Sequence, residues 1–149
     1  MQDRIELTVE NRVAKVILNR PEMHNALDMD MFRAIASVQR KLARERDLRC
    51  VILSGAGVDF CSGLDVKSIM SDRKAILKLL WKWLPWRSNL AQVVSTGWRT
   101  LQAPVIAAIH GRCWGGGLQI ALGADFRVVT PDASLSVMEG RWGLIPDMG

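Results

Sequence analysis

Apolar and polar residues alternate at Ile5, Leu7 and Val9, and the same two-residue period resumes over 13–18 after the pair Asn11-Arg12. Two short strands joined by a two-residue turn are predicted to form a hairpin. The period then lengthens to that of a helix: Met31, Phe32, Ile35, Val38 and Leu42 share one face of a segment opened by the capping residue Asp28 and running through Arg46. Residues 51–53 form a short apolar strand closed by Ser54-Gly55-Ala56-Gly57. The stretch VDFCSGLD (58–65) is a loop whose last residue, Asp65, is placed to cap a helix starting at Val66. A helical pattern over 72–102 is interrupted at Pro85 and carries Trp81, Trp83, Trp86 and Trp98, a cluster of the kind that usually belongs to a core. Residues 105–109, between Pro104 and Gly111, read as a buried strand. Three glycines (115–117) and a short helix over 118–122 follow, then strands over 125–129 and 135–137. A hairpin followed by alternating helices and strands predicts an α/β fold with parallel strands and right-handed helical crossovers.

Composition narrows the class without choosing a chemistry. With 149 residues, 49% hydrophobic and 23% charged, the chain is one domain over 1–149 that can bury a core. Its uncharged apolar runs are too short to span a bilayer, and the charged opening MQDRIE is unlike a signal peptide. Cys50, Cys61 and Cys113 are an odd set without C-x-x-C spacing, read as small buried hydrophobes in the reducing cytoplasm. The net charge of +5 suits an anionic small molecule, and equally a nucleic acid. The basic residues are scattered, however, and no motif that reads DNA or RNA accompanies them. No nucleic-acid or membrane partner is therefore expected.

Three glycines before a helix bring bare N–H groups and the positive end of the helix dipole to one place, which suits a developing negative charge. A dinucleotide fingerprint fails because Ile120 stands where its last glycine belongs, and no Gly-Lys-Ser/Thr triplet forms a P-loop. His24 and His110 have no convincing nucleophile and acid around them, and no group of side chains has metal-ligand spacing. What remains is the loop Ser62-Gly63-Leu64, the turn Gly115-Gly116-Gly117 and the carboxylate of Glu139. In a parallel sheet the ends of successive strands open on one edge, so both backbone loops are expected there with Glu139 beside them. Two N–H groups aimed at one oxygen make an oxyanion hole, worth about 3–4 kcal/mol per donor.

Four stretches carry a resemblance: RPEMHNAL at 20–27, FCSGLD at 60–65, HGRCWGGGLQIALGADFRV at 110–128 and LSVMEGRWGLIPDMG at 135–149. In this order and register the chain resembles the enoyl-CoA hydratase/isomerase (crotonase) family. The resemblance implies a β-β-α spiral core that binds acyl-CoA and stabilises a thioester enolate, with CoA thioester as substrate and no separate cofactor. It implies Leu64 and Gly116 as the two N–H donors, with CoA's adenine end against Met23, His24, Ser62, Asp65 and Val66. The tryptophan-rich segment would line the acyl pocket, and family members assemble as trimers or hexamers. Family hydratases pair two glutamates to handle water; this chain keeps Glu139 but has Gln119 at the other position, and an amide holds water without moving its proton. Asp147 matches an acid found in the dienoyl-CoA isomerases. These residues slightly favour double-bond isomerisation over hydration. The family pattern continues beyond residue 149 with further core helices and a helical C-terminal region, so the chain is expected to be truncated before that region and to assemble with neighbours. A catalytically silent acyl-CoA-binding or scaffold fragment is the alternative expectation.

Overall fold

A computed structural model describes residues 3–71, 88–143 and 145–148. Strands β1 (Ile5–Glu10) and β2 (Val13–Leu18) pair antiparallel in the predicted hairpin. Asn11 and Arg12 both take positive φ, 51° and 66°, the twist that a two-residue hairpin turn requires. β2 continues in parallel to β3 (Cys50–Gly55), β3 to β4 (Val105–Ile109), and β4 to β6 (Phe126–Val129). A second, two-stranded parallel sheet joins β5 (Arg112–Trp114) to β7 (Ser134–Ser136). A bridge between Cys61 and Cys113 extends it toward the 58–65 loop.

One face of the large sheet is the core: Ala14, Val16, Leu18, Val51, Leu53, Val105, Ala107 and Ile109 are all buried. Helix α1 (Met29–Leu42) supplies Met31, Phe32, Ile35 and Leu42 to the same core, and Asp28 caps it by accepting from Met31 N at 2.8 Å. The expected extension to Arg46 does not form. Residues 43–47 are all exposed, so with the apolar stripe ended at Leu42 no packing holds another turn. Helix α2 (Val66–Ser71) follows the loop, capped by the Asp65 carboxylate through Ser68 N. Of the predicted 72–102 helix, residues 72–87, with Trp81, Trp83 and Trp86, lie outside the described residues. Its last part is α3 (Leu90–Thr96), opened by a capping box of Asn89 and Gln92, and a 3-10 turn Gly97–Thr100 that buries Trp98 in the core. Helix α4 (Gly116–Leu122) begins at the second glycine of the triplet, two residues earlier than predicted.

The strand expected over 125–129 starts one residue later, at Phe126, and the one expected over 135–137 lies one residue earlier, at β7. β5 has no counterpart among the predicted elements. Its three residues are strand only because the 58–65 loop and β7 flank them, a long-range pairing that local periodicity does not carry. The overall architecture is the expected mixed α/β fold with a parallel sheet.

Candidate active site

The loop after β3 and the turn before α4 meet. Leu27 and Leu64 form a parallel bridge in which Leu27 N donates to Gly63 O (2.8 Å) and Asp65 N donates to Leu27 O (3.0 Å). Because residues 63 and 65 both face Leu27, the N–H of Leu64 turns to the opposite side, where it has no acceptor among the described residues. Gly63 has φ +97°, and a methyl added to it would lie 2.9 Å from the Trp114 carbonyl oxygen and 3.7 Å from Gly116 N. Only glycine allows that conformation and that approach together. Gly116 is the first residue of α4, so no preceding turn takes its N–H, and it too has no acceptor among the described residues. Gly117 closes the contact from the other side: a methyl there would stand 2.7 Å from the Cys61 carbonyl oxygen and Cβ. The two amides named from the resemblance therefore belong to adjoining backbone segments.

Glu139 lies in a 3-10 turn, Met138–Trp142, just after β7. Gln119, on α4, donates from Nε2 to Glu139 Oε1 at 2.6 Å. The other end of the same amide accepts from Met148 N at 2.9 Å, so Gln119 is engaged at both ends rather than turned wholly to solvent. Glu139 Oε2 is buried and has no hydrogen-bond partner among the described residues. Glu139 also reaches the glycine turn, since a methyl on Gly115 would come within 3.3 Å of Oε1. The carboxylate and the helix N-terminus thus share one place. Asp147 is exposed, and its backbone carbonyl accepts from Gln92 Nε2 at 3.4 Å. Next to it, the Met148 carbonyl is bonded by Ser95 Oγ, and the Met148 thioether stands against Gly116.

The residues assigned to CoA fall on two loops joined by hydrogen bonds: Ser62 N donates to His24 O at 2.9 Å, next to the Leu27–Leu64 bridge. Met23 and Val66 expose their side chains beside it. His24 is half-exposed in a left-handed conformation (φ 53°), and its Nδ1 is 2.7 Å from Oδ2 of the buried Asp59. The Asp65 carboxylate is already used: it caps α2 and lies 2.8 Å from Arg20 Nη1. Burial pushes its pKa up, but the Ser68 N–H and the Arg20 guanidinium outweigh that and hold it below its ordinary value. Burial raises both the Cys61 and the Cys113 thiol to about 12, which removes them as nucleophiles at neutral pH. Among the described residues no set of side chains is arranged to hold a metal, and no helix is long and apolar enough to cross a membrane.

Three residues of this region are absent from the sequence-based candidates. Arg20 is largely buried between two carboxylates, Asp59 holds His24, and the N–H of Met148 holds the Gln119 amide. All three stand inside stretches singled out in the sequence, Arg20 in 20–27, Asp59 in 58–65 and Met148 in 135–149, but their partners lie in distant segments.

A parallel α/β core whose strand-end loops bring glycine-bordered amides beside a carboxylate is the architecture of the crotonase fold. The solved enoyl-CoA hydratase of Mycobacterium smegmatis superposes with a TM-score of 0.85 at 30% identity, over 98% of this chain and 55% of that one. The enoyl-CoA hydratase/isomerase family model matches residues 13–149, and the chain belongs to that family. It is 35% identical to the mitochondrial Δ(3,5)-Δ(2,4)-dienoyl-CoA isomerase of Rattus norvegicus, over 99% of this chain and 46% of that protein. It is 34% identical to the enoyl-CoA hydratase EchA19 of Mycobacterium tuberculosis, over 88% of this chain and 48% of that protein. The chain spans about half the length of these curated relatives.

Proposed function

We propose that the protein binds acyl-CoA thioesters and migrates a carbon–carbon double bond by way of an enolate, with Glu139 as its base. In this reading Glu139 takes a proton from C2 of a 3-enoyl thioester. The electron pair of the broken C–H bond moves into the thioester, and the carbonyl oxygen becomes negative between the N–H groups of Leu64 and Gly116. Protonated Glu139 then returns the proton at C4 as the double bond re-forms between C2 and C3. One carboxylate suffices for this sequence of steps, whereas adding water across the bond needs a second group that can exchange a proton.

The observation that carries the reading is the state of Glu139: Oε1, beside the glycine turn, is held by the Gln119 amide at 2.6 Å, and Oε2 is buried with no hydrogen-bond partner among the described residues. A neutral amide in the second position supports isomerisation over hydration, and so does the similarity to a dienoyl-CoA isomerase. Loops 20–27 and 62–66 would carry the CoA portion. The net charge of +5 suits a polyanionic ligand.

A second reading, an acyl-CoA-binding protein or scaffold without turnover, is favoured by one observation. The Met148 thioether sits against Gly116, 3.2 Å from where a methyl would stand, and so beside the residue that carries one of the two donors. Incubating the intact protein with 2-enoyl-, 3-enoyl- and dienoyl-CoA, with products identified by absorbance and mass, separates the two. Migration without hydration supports the isomerase. Stabilisation against heat by CoA thioesters without turnover supports the scaffold.

A further inference from the structure

The N–H of Leu64 has a defined direction only while the Leu27–Leu64 bridge holds, and the residues flanking that bridge converge on one side chain. Arg20 Nη1 donates to Asp65 Oδ2 at 2.8 Å and to the Ala26 carbonyl at 3.1 Å, and it lies 3.6 Å from Asp28 Oδ2. Asp65 follows Leu64 in the chain, and Ala26 and Asp28 bracket Leu27. One guanidinium therefore grips both strands of the bridge. It does so away from bulk water: the side chains of Arg20, Asp65 and Asp28 are 11%, 9% and 9% exposed. The two carboxylates are also the caps of α1 and α2, through Met31 N and Ser68 N, so the grip ties both helix starts to the same point. Asp28 keeps a second cation, Arg4, at 2.6 Å, and Asp65 keeps the Ser68 N–H. Loss of Arg20 alone thus leaves neither carboxylate without a partner.

We infer that Arg20 is a positioning residue that holds the Leu64 N–H on the thioester oxygen by clamping the Leu27–Leu64 bridge. The inference rests on the enolate reading above for the identity of that oxygen, but the clamp itself is a property of the chain. Lysine is the informative replacement, because it keeps the charge while its shorter chain stops the ammonium short of the Nη1 position that reaches both segments at once.

Two measurements on the full chain, wild type and Arg20→Lys, test it. Hydrogen exchange at the Leu27 and Asp65 amides, which form the bridge, reports the clamp without any ligand. The carbonyl stretch of a bound, carbon-13-labelled acyl-CoA thioester reports how strongly the donors polarise that oxygen. Arg20→Lys is expected to speed exchange at both amides and to return the carbonyl frequency toward its value in water. Turnover is expected to fall about 10²-fold, the cost of a 1 Å misplacement, with KM little changed. The paired variant Asp65→Asn, which loses the same contact from its other end, should move all three readouts in the same direction. A residue that serves stability alone would lower the melting temperature and leave the carbonyl frequency of the folded fraction unmoved; that result overturns the inference. Unchanged exchange in both variants overturns it as well, whatever the enzyme does. A wild-type protein that leaves the carbonyl unshifted overturns the enolate reading and Arg20's part in it, while the exchange rates still report whether the clamp exists.

Discussion

Around Leu64 and Gly116 the backbone is closed in, although the Leu64 side chain is itself exposed: Leu27, Cys61, Gly63, Cys113, Gly115, Gly116 and Gly117 are all buried. Around Glu139 it is open. The 3-10 turn that carries Glu139 follows β7, whose Leu135 is exposed, and every residue of the edge strand β6 is exposed. The donor side is made of backbone, held by hydrogen bonds between main-chain atoms, by contacts too close for any residue but glycine and by the Arg20 side chain. The carboxylate side depends on side-chain bonds, above all Gln119 to Glu139 and Met148 N to Gln119. In the proposed reaction this backbone would stabilise a developing charge, where misplacement costs rate directly. In the proposed reaction Glu139 moves a proton between two carbons, and its Oε2 has no partner among the described residues. The contrast divides stability from chemistry: damage to the donor side should show in folding and rate together, damage to the carboxylate side mainly in rate.

The largest expected effect is on the carboxylate side. Glu139→Gln keeps size and shape and removes the base, so turnover should fall by roughly 10²–10⁴-fold, with thermal stability and thioester affinity little changed. Steady-state kinetics with a 3-enoyl-CoA checks this. If turnover survives, Asp147 becomes the candidate acid and the assignment of Glu139 is wrong.

Next comes the donor side. Gly63→Ala forces a side chain onto φ +97° and onto the Trp114 carbonyl 2.9 Å away. The strain and overpacking together should cost about 3 kcal/mol or more, read as a lower denaturation midpoint along with lost turnover. Full stability in this variant would mean that the donor side is less closely built than the contacts indicate.

Gln119→Leu tests the hinge between the two sides. It removes the partner of Glu139 Oε1 and that of the Met148 N–H, which should cost about 1–3 kcal/mol in stability. Gln119→Glu instead restores a second carboxylate, and hydration of a 2-enoyl-CoA should rise relative to isomerisation. An unchanged product ratio would remove Gln119 from the account of reaction choice.

The smallest effect concerns acid. Asp65 is held below its ordinary value in the fold, so its contribution is fully present above about pH 4 and fades as pH falls through the folded value. Asp65→Asn should therefore lose most stability near neutrality and converge on the wild type in acid, as acid unfolding curves of the two proteins can show. A constant difference across that range would mean that charge is not what Asp65 contributes.

How much of this was legible in the sequence follows the range of each interaction. The hairpin, β3, β4 and the apolar face of α1 are carried by local periods, and the structure has them. Gly63 and the glycine triplet were legible as turns, though not the main-chain atoms they approach. The length of α1 was misjudged because periodicity does not reveal that residues 43–47 have nothing to pack on. β5, the Gln119–Glu139 pair and the His24–Asp59 pair join residues 20 or more apart and leave no local trace. The resemblance shows Gln119 in place of a glutamate, and the structure adds that its amide is oriented by Met148.

The central claim is that a single carboxylate carries the proton from one carbon to the other. The most direct test supplies a 3-enoyl-CoA deuterated at C2 and locates the label in the product by mass and NMR. One base with a buried carboxylate oxygen should deliver part of the deuterium to C4 of the 2-enoyl product. Complete loss of the label to water, with solvent hydrogen at C4 in every turnover, would contradict it, as would a product carrying a hydroxyl group.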